Sequence, residues 1–95
     1  MSIHEQEFVE RVQIDRQTLQ IWIKEEWLLP KESAEGRLFT DLDLARAKLI
    51  VDLRENMGVN DAGLEVILHL LDQMHGLRRA MSDLLGSMRE GVRSE

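Results

Sequence analysis

The sequence predicts an all-α, mainly helical protein whose C-terminal part is one long helix. The chain has one Pro, five Met and no Tyr. Leu and Ala are frequent and β-branched runs are scarce, a composition that favours helices over strands. Apolar residues recur at intervals of three and four, and residues that cap helix N-termini precede several of these segments.

The charge balance limits the kinds of partner that the chain can have. Its 95 residues carry 18 acidic and 12 basic side chains, a net charge of -6. Because affinity for nucleic acid comes largely from Lys and Arg on phosphates, such a chain suits a basic protein surface better. The absence of Cys excludes disulfides and Cys-based metal sites. No signal peptide or membrane-spanning run is evident, so we expect a cytoplasmic protein.

The N-terminal third predicts two short helices that form a helix-turn-helix. The first spans IHEQEFVERVQI. The second begins after Asp15, whose carboxylate can accept the free N–H groups of the first turn, and is expected to end at Pro30. The turn between them lacks the usual Gly. The apolar residues expected on the inner faces are Ile3, Phe8, Val9, Val12, Leu19, Trp22 and Ile23.

A small β-wing and a third helix are predicted next. KESAEGRLF is typical of a wing with its tip near Glu35-Gly36. Thr40 is a good N-cap for the third helix, and the acidic residues that follow it favour the helix dipole. Gly58 is expected to end this helix. The predicted buried stripe of the third helix consists of Leu42, Ala45, Leu49 and Leu53.

The last helix, capped by Asn60, carries an apolar seam of the kind that pairs helices. Its steps of three and four residues form an a/d pattern. The seam residues are Ile67, Leu70, Met74, Leu77, Met81, Leu84 and Met88. A second set widens the face: Leu64, Leu68, Leu71 and Leu85. The first part of this wider face is expected to pack on the N-terminal helices.

The length of this helix predicts a homodimer. At 1.5 Å per residue it measures about 40 Å, longer than a domain of this size is wide. The most direct cover for the exposed seam is its copy in a two-fold dimer, and the seam does not fix the direction in which the helices pair. The alternative is that the helix bends at Gly76 or Gly86 and folds back on its own domain.

Neither catalysis nor metal binding is indicated by the residue types. His69 and His75 lie six residues apart, off the spacing that converges on one metal ion. The sequence contains no Gly-rich phosphate loop and no Ser-His-Asp set that this fold would assemble. We therefore expect no enzyme, no cofactor and no metal site.

The order of these elements resembles the MerR-type winged helix-turn-helix over residues 3 to about 88. In that family the second helix enters the major groove, the wing contacts the DNA backbone, and the terminal helix pairs antiparallel with its partner. In the second helix this sequence departs from the residues with which that family contacts DNA. Gln20 stands where the family has Arg, and Ile21 and Trp22 replace a Tyr pair.

A narrower resemblance is carried by WIKEEWLLP, GRLFTDLDLARAKLI and LRENMGVNDAGLEVILHLLDQMHGLR. These segments are similar to the CbpM chaperone modulator family. The resemblance implies binding to the J-domain of CbpA, a DnaJ-type co-chaperone, restraint of its work with DnaK, and a lowering of CbpA's own DNA binding. Members usually have Gly in place of Glu26, which would be easier at a helix end that needs a positive φ.

We predict that the J-domain binds the end of the second helix and the wing, where acidic residues could mimic the chaperone surface that a basic helix of the J-domain recognises. The predicted partner-binding residues are Glu25, Glu26, Trp27, Glu32 and Glu35. Trp27 fits either an interface anchor or the core, whereas Trp22 is expected in the core. The acids could also form a merely solvated face.

The predicted layout is a winged helix-turn-helix-like domain at residues 1–58 and the long dimerisation helix with its tail at 59–95, together one compact unit. The alternative function is a MerR-family transcriptional regulator that binds DNA as a dimer. Its reading residues would be Arg16, Gln17, Gln20, Lys24 and Arg37. A dimeric adaptor without such partners is a third interpretation.

Overall fold

The structure is a computed structural model that describes residues 2–93. In this range the elements are, in order, β1 (Ile3–His4), α1 (Glu5–Val12), α2 (Arg16–Lys24), β2 (Lys31–Ser33), β3 (Gly36–Phe39), α3 (Asp41–Glu55) and α4 (Asp61–Arg93). The mainly helical class and the wing are confirmed. The chain divides into two compact units between Leu64 and Glu65.

The first helix begins two residues later than predicted, because Ile3 and His4 form a strand. β1 pairs antiparallel with β3, with Ile3 opposite Phe39 and His4 opposite Leu38. Ile3 is buried, and a β-branched side chain fits a pleated, buried surface well. The tertiary pairing therefore overrides the helical spacing that the sequence suggested for Ile3.

The turn between α1 and α2 forms without Gly because Gln13 adopts the left-handed conformation, with φ 66. The N–H groups of Gln13 and Ile14 both donate to the carbonyl oxygen of Val9, at 2.9 and 3.1 Å. Such bonds satisfy the last carbonyls of a helix and usually accompany Gly at this position.

The second helix ends at Lys24, so the prediction that Pro30 ends it is wrong. Glu26 has φ 62, which confirms the expected positive φ at this position. Its N–H donates to the carbonyl of Ile23 at 3.0 Å, and the N–H of Trp27 donates to that of Trp22 at 2.9 Å. These two bonds make a Schellman motif, which closes the helix before the proline is reached.

The wing has its tip where the sequence predicted it. β2 and β3 pair antiparallel, with Glu32 opposite Arg37 and Ser33 opposite Gly36. Gly36 has φ 103, a conformation that favours Gly. The Ser33 hydroxyl donates to the Gly36 carbonyl at 2.7 Å. β3 is the central strand of the three-stranded sheet.

The start of α3 confirms the predicted cap, whereas its predicted buried stripe is wrong. Thr40 Oγ1 accepts the N–H of Asp43 at 3.1 Å, and Asp43 Oδ2 accepts that of Thr40 at 2.9 Å, a capping box. The buried residues of α3 are Leu44, Ala47, Ile50 and Leu53. Of the predicted stripe, Leu42 and Ala45 are exposed, Leu49 is half-buried and only Leu53 is buried.

Both sets of α3 residues have helical spacing, so the sequence could not choose between them. α3 packs against α1, which in turn contacts β3. The direction of α1 therefore decides which side of α3 is covered. The Phe8 and Phe39 rings stack with their centroids 4.0 Å apart. The buried apolar side chains of the first unit are Ile3, Phe8, Val9, Val12, Leu19, Trp22, Trp27, Leu28, Phe39, Leu44, Ala47, Ile50, Leu53 and Leu64.

The last helix begins at the predicted cap and continues without a break. Asn60 Oδ1 accepts the N–H of Gly63 at 2.8 Å. α4 passes through Gly76 and Gly86 as one helix, so neither glycine interrupts it. Within residues 2–93, no helix combines the length and the hydropathy that a membrane crossing requires.

Candidate partner-binding surface

The α2 helix is capped at its N-terminus by Asp15. Asp15 Oδ1 accepts the N–H of Thr18 at 2.7 Å, and this bond holds the pKa of the Asp15 carboxyl below its ordinary value of 3.8. Leu19 and Trp22 are buried on the inner side. The exposed residues of the outer face are Arg16, Gln17, Gln20, Ile21 and Lys24.

Four of the predicted partner-binding residues are exposed carboxylates. Glu25 and Glu26 follow α2 directly, and the left-handed backbone at Glu26 turns the chain away from the helix axis. Glu32 lies on β2, and Glu35 lies at the wing tip. The acids are thus available to a partner, and their role in binding stays a prediction.

The fifth predicted residue, Trp27, is only 4% exposed. Its ring centroid lies 6.4 Å from that of Trp22, which is also buried, as predicted. Neither indole Nε1 has a hydrogen-bond partner among the described residues. In the free chain the Trp27 indole offers almost no surface to a partner, so its role as an interface anchor stays a prediction.

Arg37 of the wing is held by three other side chains. Its Nη1 donates to Glu5 Oε1 at 3.3 Å and to Gln20 Oε1 at 2.9 Å, and its Nε donates to Glu32 Oε1 at 3.4 Å. The Arg37 and Glu5 side chains are 28% and 26% exposed, so this ion pair is screened less than one on the open surface. The guanidinium therefore joins the start of α1, the outer face of α2 and the wing.

No sequence signal identifies Glu5 as a site residue, because its contact with Arg37 spans 32 positions. The antiparallel register pairs Ile3 with Phe39 and His4 with Leu38, which brings the next residue, Glu5, beside Arg37. No local pattern indicates this pairing, since β1 itself was not predicted.

The seam of α4 is exposed in the single chain. Ile67 is half-buried, and the other predicted dimerisation residues are exposed: Leu70, Met74, Leu77, Met81, Leu84 and Met88. Leu85 is also exposed, while Leu64 and Leu68 are buried and Leu71 is half-buried. The seam thus forms an apolar stripe along α4.

An open depression of about 620 Å³ lies where α3 turns into α4, and Arg54 Nη1 lies 3.6 Å from Asp61 Oδ1 there. Among residues 2–93 no three His, Cys, Asp or Glu side chains are placed to hold a metal ion.

Comparison with known families gives a match that covers most of the chain. A family model described as "MerR HTH family regulatory protein" matches residues 3–85. A search of the curated proteins and a search of the solved structures each gave no match. The matched range contains both helices of the helix-turn-helix, the wing, α3 and most of α4. The chain therefore belongs to the MerR helix-turn-helix family of regulatory proteins.

Proposed function

We propose that this protein is a chaperone modulator that binds the J-domain of a CbpA-like, DnaJ-type co-chaperone and inhibits its activity. The observation that carries the proposal is the state of Arg37. Binding to DNA in the manner of the MerR type would place the wing cation Arg37 on a phosphate, whereas here it is paired with Glu5 at 3.3 Å and with Glu32 at 3.4 Å. Gln20, on the face that would enter the groove, is bound to the same guanidinium.

The charge of the first unit supports a basic protein partner over DNA. Residues 1–64 contain thirteen acidic and eight basic residues, a net charge of -5. Each acid near the outer face of α2 repels phosphates. Direct readout of base edges requires several hydrogen-bond donors that are not already paired with acids. The same charges attract a basic helix and raise the rate of association with it. The residues proposed to meet the J-domain are Glu25, Glu26, Trp27, Glu32 and Glu35.

We also propose that the protein acts as a homodimer through α4. Its seam exposes Leu77 at 63% and Leu84 at 62%, and a soluble protein rarely leaves a long apolar stripe uncovered. A second copy carries the same stripe, and helices with a/d spacing pair through such stripes. A two-fold dimer would double the number of acidic surfaces available to the partner.

DNA binding remains the second candidate because the chain belongs to a family of helix-turn-helix regulators. The exposed residues Arg16, Gln17 and Lys24 of α2 supply two cations and an amide to a groove. In this candidate Gln20 and Arg37 would first have to leave each other and the acids that hold Arg37.

The test is a parallel titration of the protein with the J-domain and with random duplex DNA, by calorimetry. The variant Glu25→Lys should weaken J-domain binding and strengthen any DNA binding. Glu10→Lys, an equal change of charge on the exposed side of α1, is the matched control. We expect micromolar or tighter J-domain binding by the unmodified protein and no DNA binding.

The two candidates give opposite results in this experiment. If the protein binds DNA and shows no binding to the J-domain, the modulator proposal is overturned. In that case the double variant Glu5→Gln, Glu32→Gln, which frees Arg37, should tighten DNA binding further. J-domain affinity that responds equally to Glu25→Lys and to Glu10→Lys would mean that only net charge matters, and the assignment of the acidic face would be withdrawn.

A further inference from the structure

Two leucines of the first unit are the most exposed large apolar side chains in the described part of the chain. Leu29 is 73% exposed and Leu42 is 69% exposed. The capping box at the start of α3 uses only Thr40 and Asp43, so Leu42 has no part in it. Leu28, the neighbour of Leu29, is fully buried and anchors that segment to the core. Neither exposed leucine is explained by the stability of the fold.

One hydrogen bond brings the segments that carry these leucines together. Arg46 Nε donates to the carbonyl oxygen of Trp27 at 2.5 Å. Leu42 lies one helical turn before Arg46, about 6 Å along the α3 axis. Leu29 lies two residues beyond Trp27, at most about 7 Å of chain. Both leucines therefore lie close to the same junction.

We group the two leucines with their neighbouring apolar residues on α3 and call the set the leucine patch. It consists of Leu29, Leu42, Ala45 and Leu49. Ala45 is exposed and Leu49 is half-buried, and both lie on the side of α3 that carries Leu42, at three and seven residues beyond it. Leu42, Ala45 and Leu49 belong to the stripe that the sequence predicted as core, of which the fold buries only Leu53.

Exposed carboxylates lie close in sequence to both leucines. Glu25 and Glu26 immediately precede Trp27, and Asp41 immediately precedes Leu42; all three are exposed. An apolar strip with an acidic border complements an amphipathic helix whose apolar residues are flanked by Lys and Arg. Such a partner would cover the leucines and pair its cations with the border.

We propose that the leucine patch is the docking surface for a basic amphipathic helix of the partner. This inference rests on the proposed function, in which that helix belongs to the J-domain. It adds Leu29 and Leu42 as exposed apolar anchors to the residues already proposed, while the acids at the end of α2 form the charged border. The patch then supplies affinity and the border supplies orientation.

The test compares polar replacements inside and outside the patch. Leu29→Ser and Leu42→Ser should each weaken J-domain binding by about tenfold or more, because each removes a large apolar contact. Met57→Ser is the matched control, since Met57 is 67% exposed in the same unit and follows the far end of α3. It should leave the dissociation constant unchanged. The loss in the leucine variants should be the same at low and high salt, because no charge has been altered.

The outcomes separate this inference from the proposed function. If the unmodified protein binds the J-domain and both leucine variants bind equally well, the patch is overturned while the modulator proposal stands. If sedimentation shows that the variants have a different oligomeric state while their J-domain affinity is unchanged, the patch is an interface between copies of this chain. The inference is then again overturned. An unmodified protein that does not bind the J-domain overturns both. Circular dichroism melts establish that each variant is folded.

Discussion

Glu26 adopts a left-handed backbone conformation, and its replacement by glycine should stabilise the protein. With φ 62, the Glu26 Cβ is held close to the following carbonyl oxygen, at a cost of roughly 1–2 kcal/mol relative to glycine. Glycine in turn loses more backbone entropy on folding, by about 0.5–1 kcal/mol. Glu26→Gly should therefore gain about 0.5–1 kcal/mol, which raises Tm by about 2–8 °C for a domain of this size.

The assay is urea unfolding followed by circular dichroism, at one fixed protein concentration because dimerisation would shift the midpoint. Glu26→Ala removes the same carboxylate but keeps Cβ, so the difference between the Gly and Ala variants isolates the backbone effect. Gln13→Gly is a second control, since Gln13 has the same left-handed backbone, with φ 66, at the end of another helix.

Two comparisons can refute this reasoning. If Glu26→Gly is no more stable than Glu26→Ala, the Schellman ending stores no strain at this residue. If the proposed binding surface is right, both Glu26 variants should also bind the J-domain more weakly, whereas Gln13→Gly should be more stable and bind as before. Equal binding by all three would remove Glu26 from the site.

Three further predictions concern the caps and the seam. Asp15→Asn keeps an acceptor for the Thr18 N–H but cannot titrate. Because the folded state lowers the pKa of Asp15, its stabilising effect is present above pH 3.8 and is lost as the pH falls through the lowered value. The stability difference between the unmodified protein and Asp15→Asn should accordingly shrink across that window in urea unfolding, and a difference independent of pH would contradict the argument. Thr40→Ala should cost about 1 kcal/mol, measured in the same way, and an unchanged midpoint would show that the capping box contributes nothing. Leu77→Asp should weaken dimerisation by roughly a hundredfold in sedimentation analysis, while Ser82→Asp, outside the seam, should not; equal behaviour would exclude the seam as the interface.

The sequence predicted the local features well because each depends on residues close together in the chain. Asp15, Thr40 and Asn60 cap their helices as expected, through bonds to N–H groups three residues ahead. The wing tip near Gly36 follows from local turn chemistry. The positive φ at Glu26 likewise reflects the requirements of a helix end.

Features of the candidate site were harder to predict because they depend on distant segments. The spacing of Leu42, Ala45 and Leu49 is as helical as that of the residues actually buried, and tertiary packing, including that of α1 on α3, decides between the two stripes. Trp27 directly follows two acidic residues in the sequence, and its burial depends on packing in the core that includes Trp22 of α2.

By itself the sequence determined a mainly helical winged helix-turn-helix, the positions of its caps and an acidic balance that disfavours phosphates. Helix propensity, capping and net charge are properties of residues and their near neighbours. Only the tertiary structure decided that Arg37 pairs with Glu5 and Glu32 and that Leu29 and Leu42 are left exposed. Those arrangements arise from strand pairing and from the Arg46–Trp27 bond, which join residues that no local pattern relates.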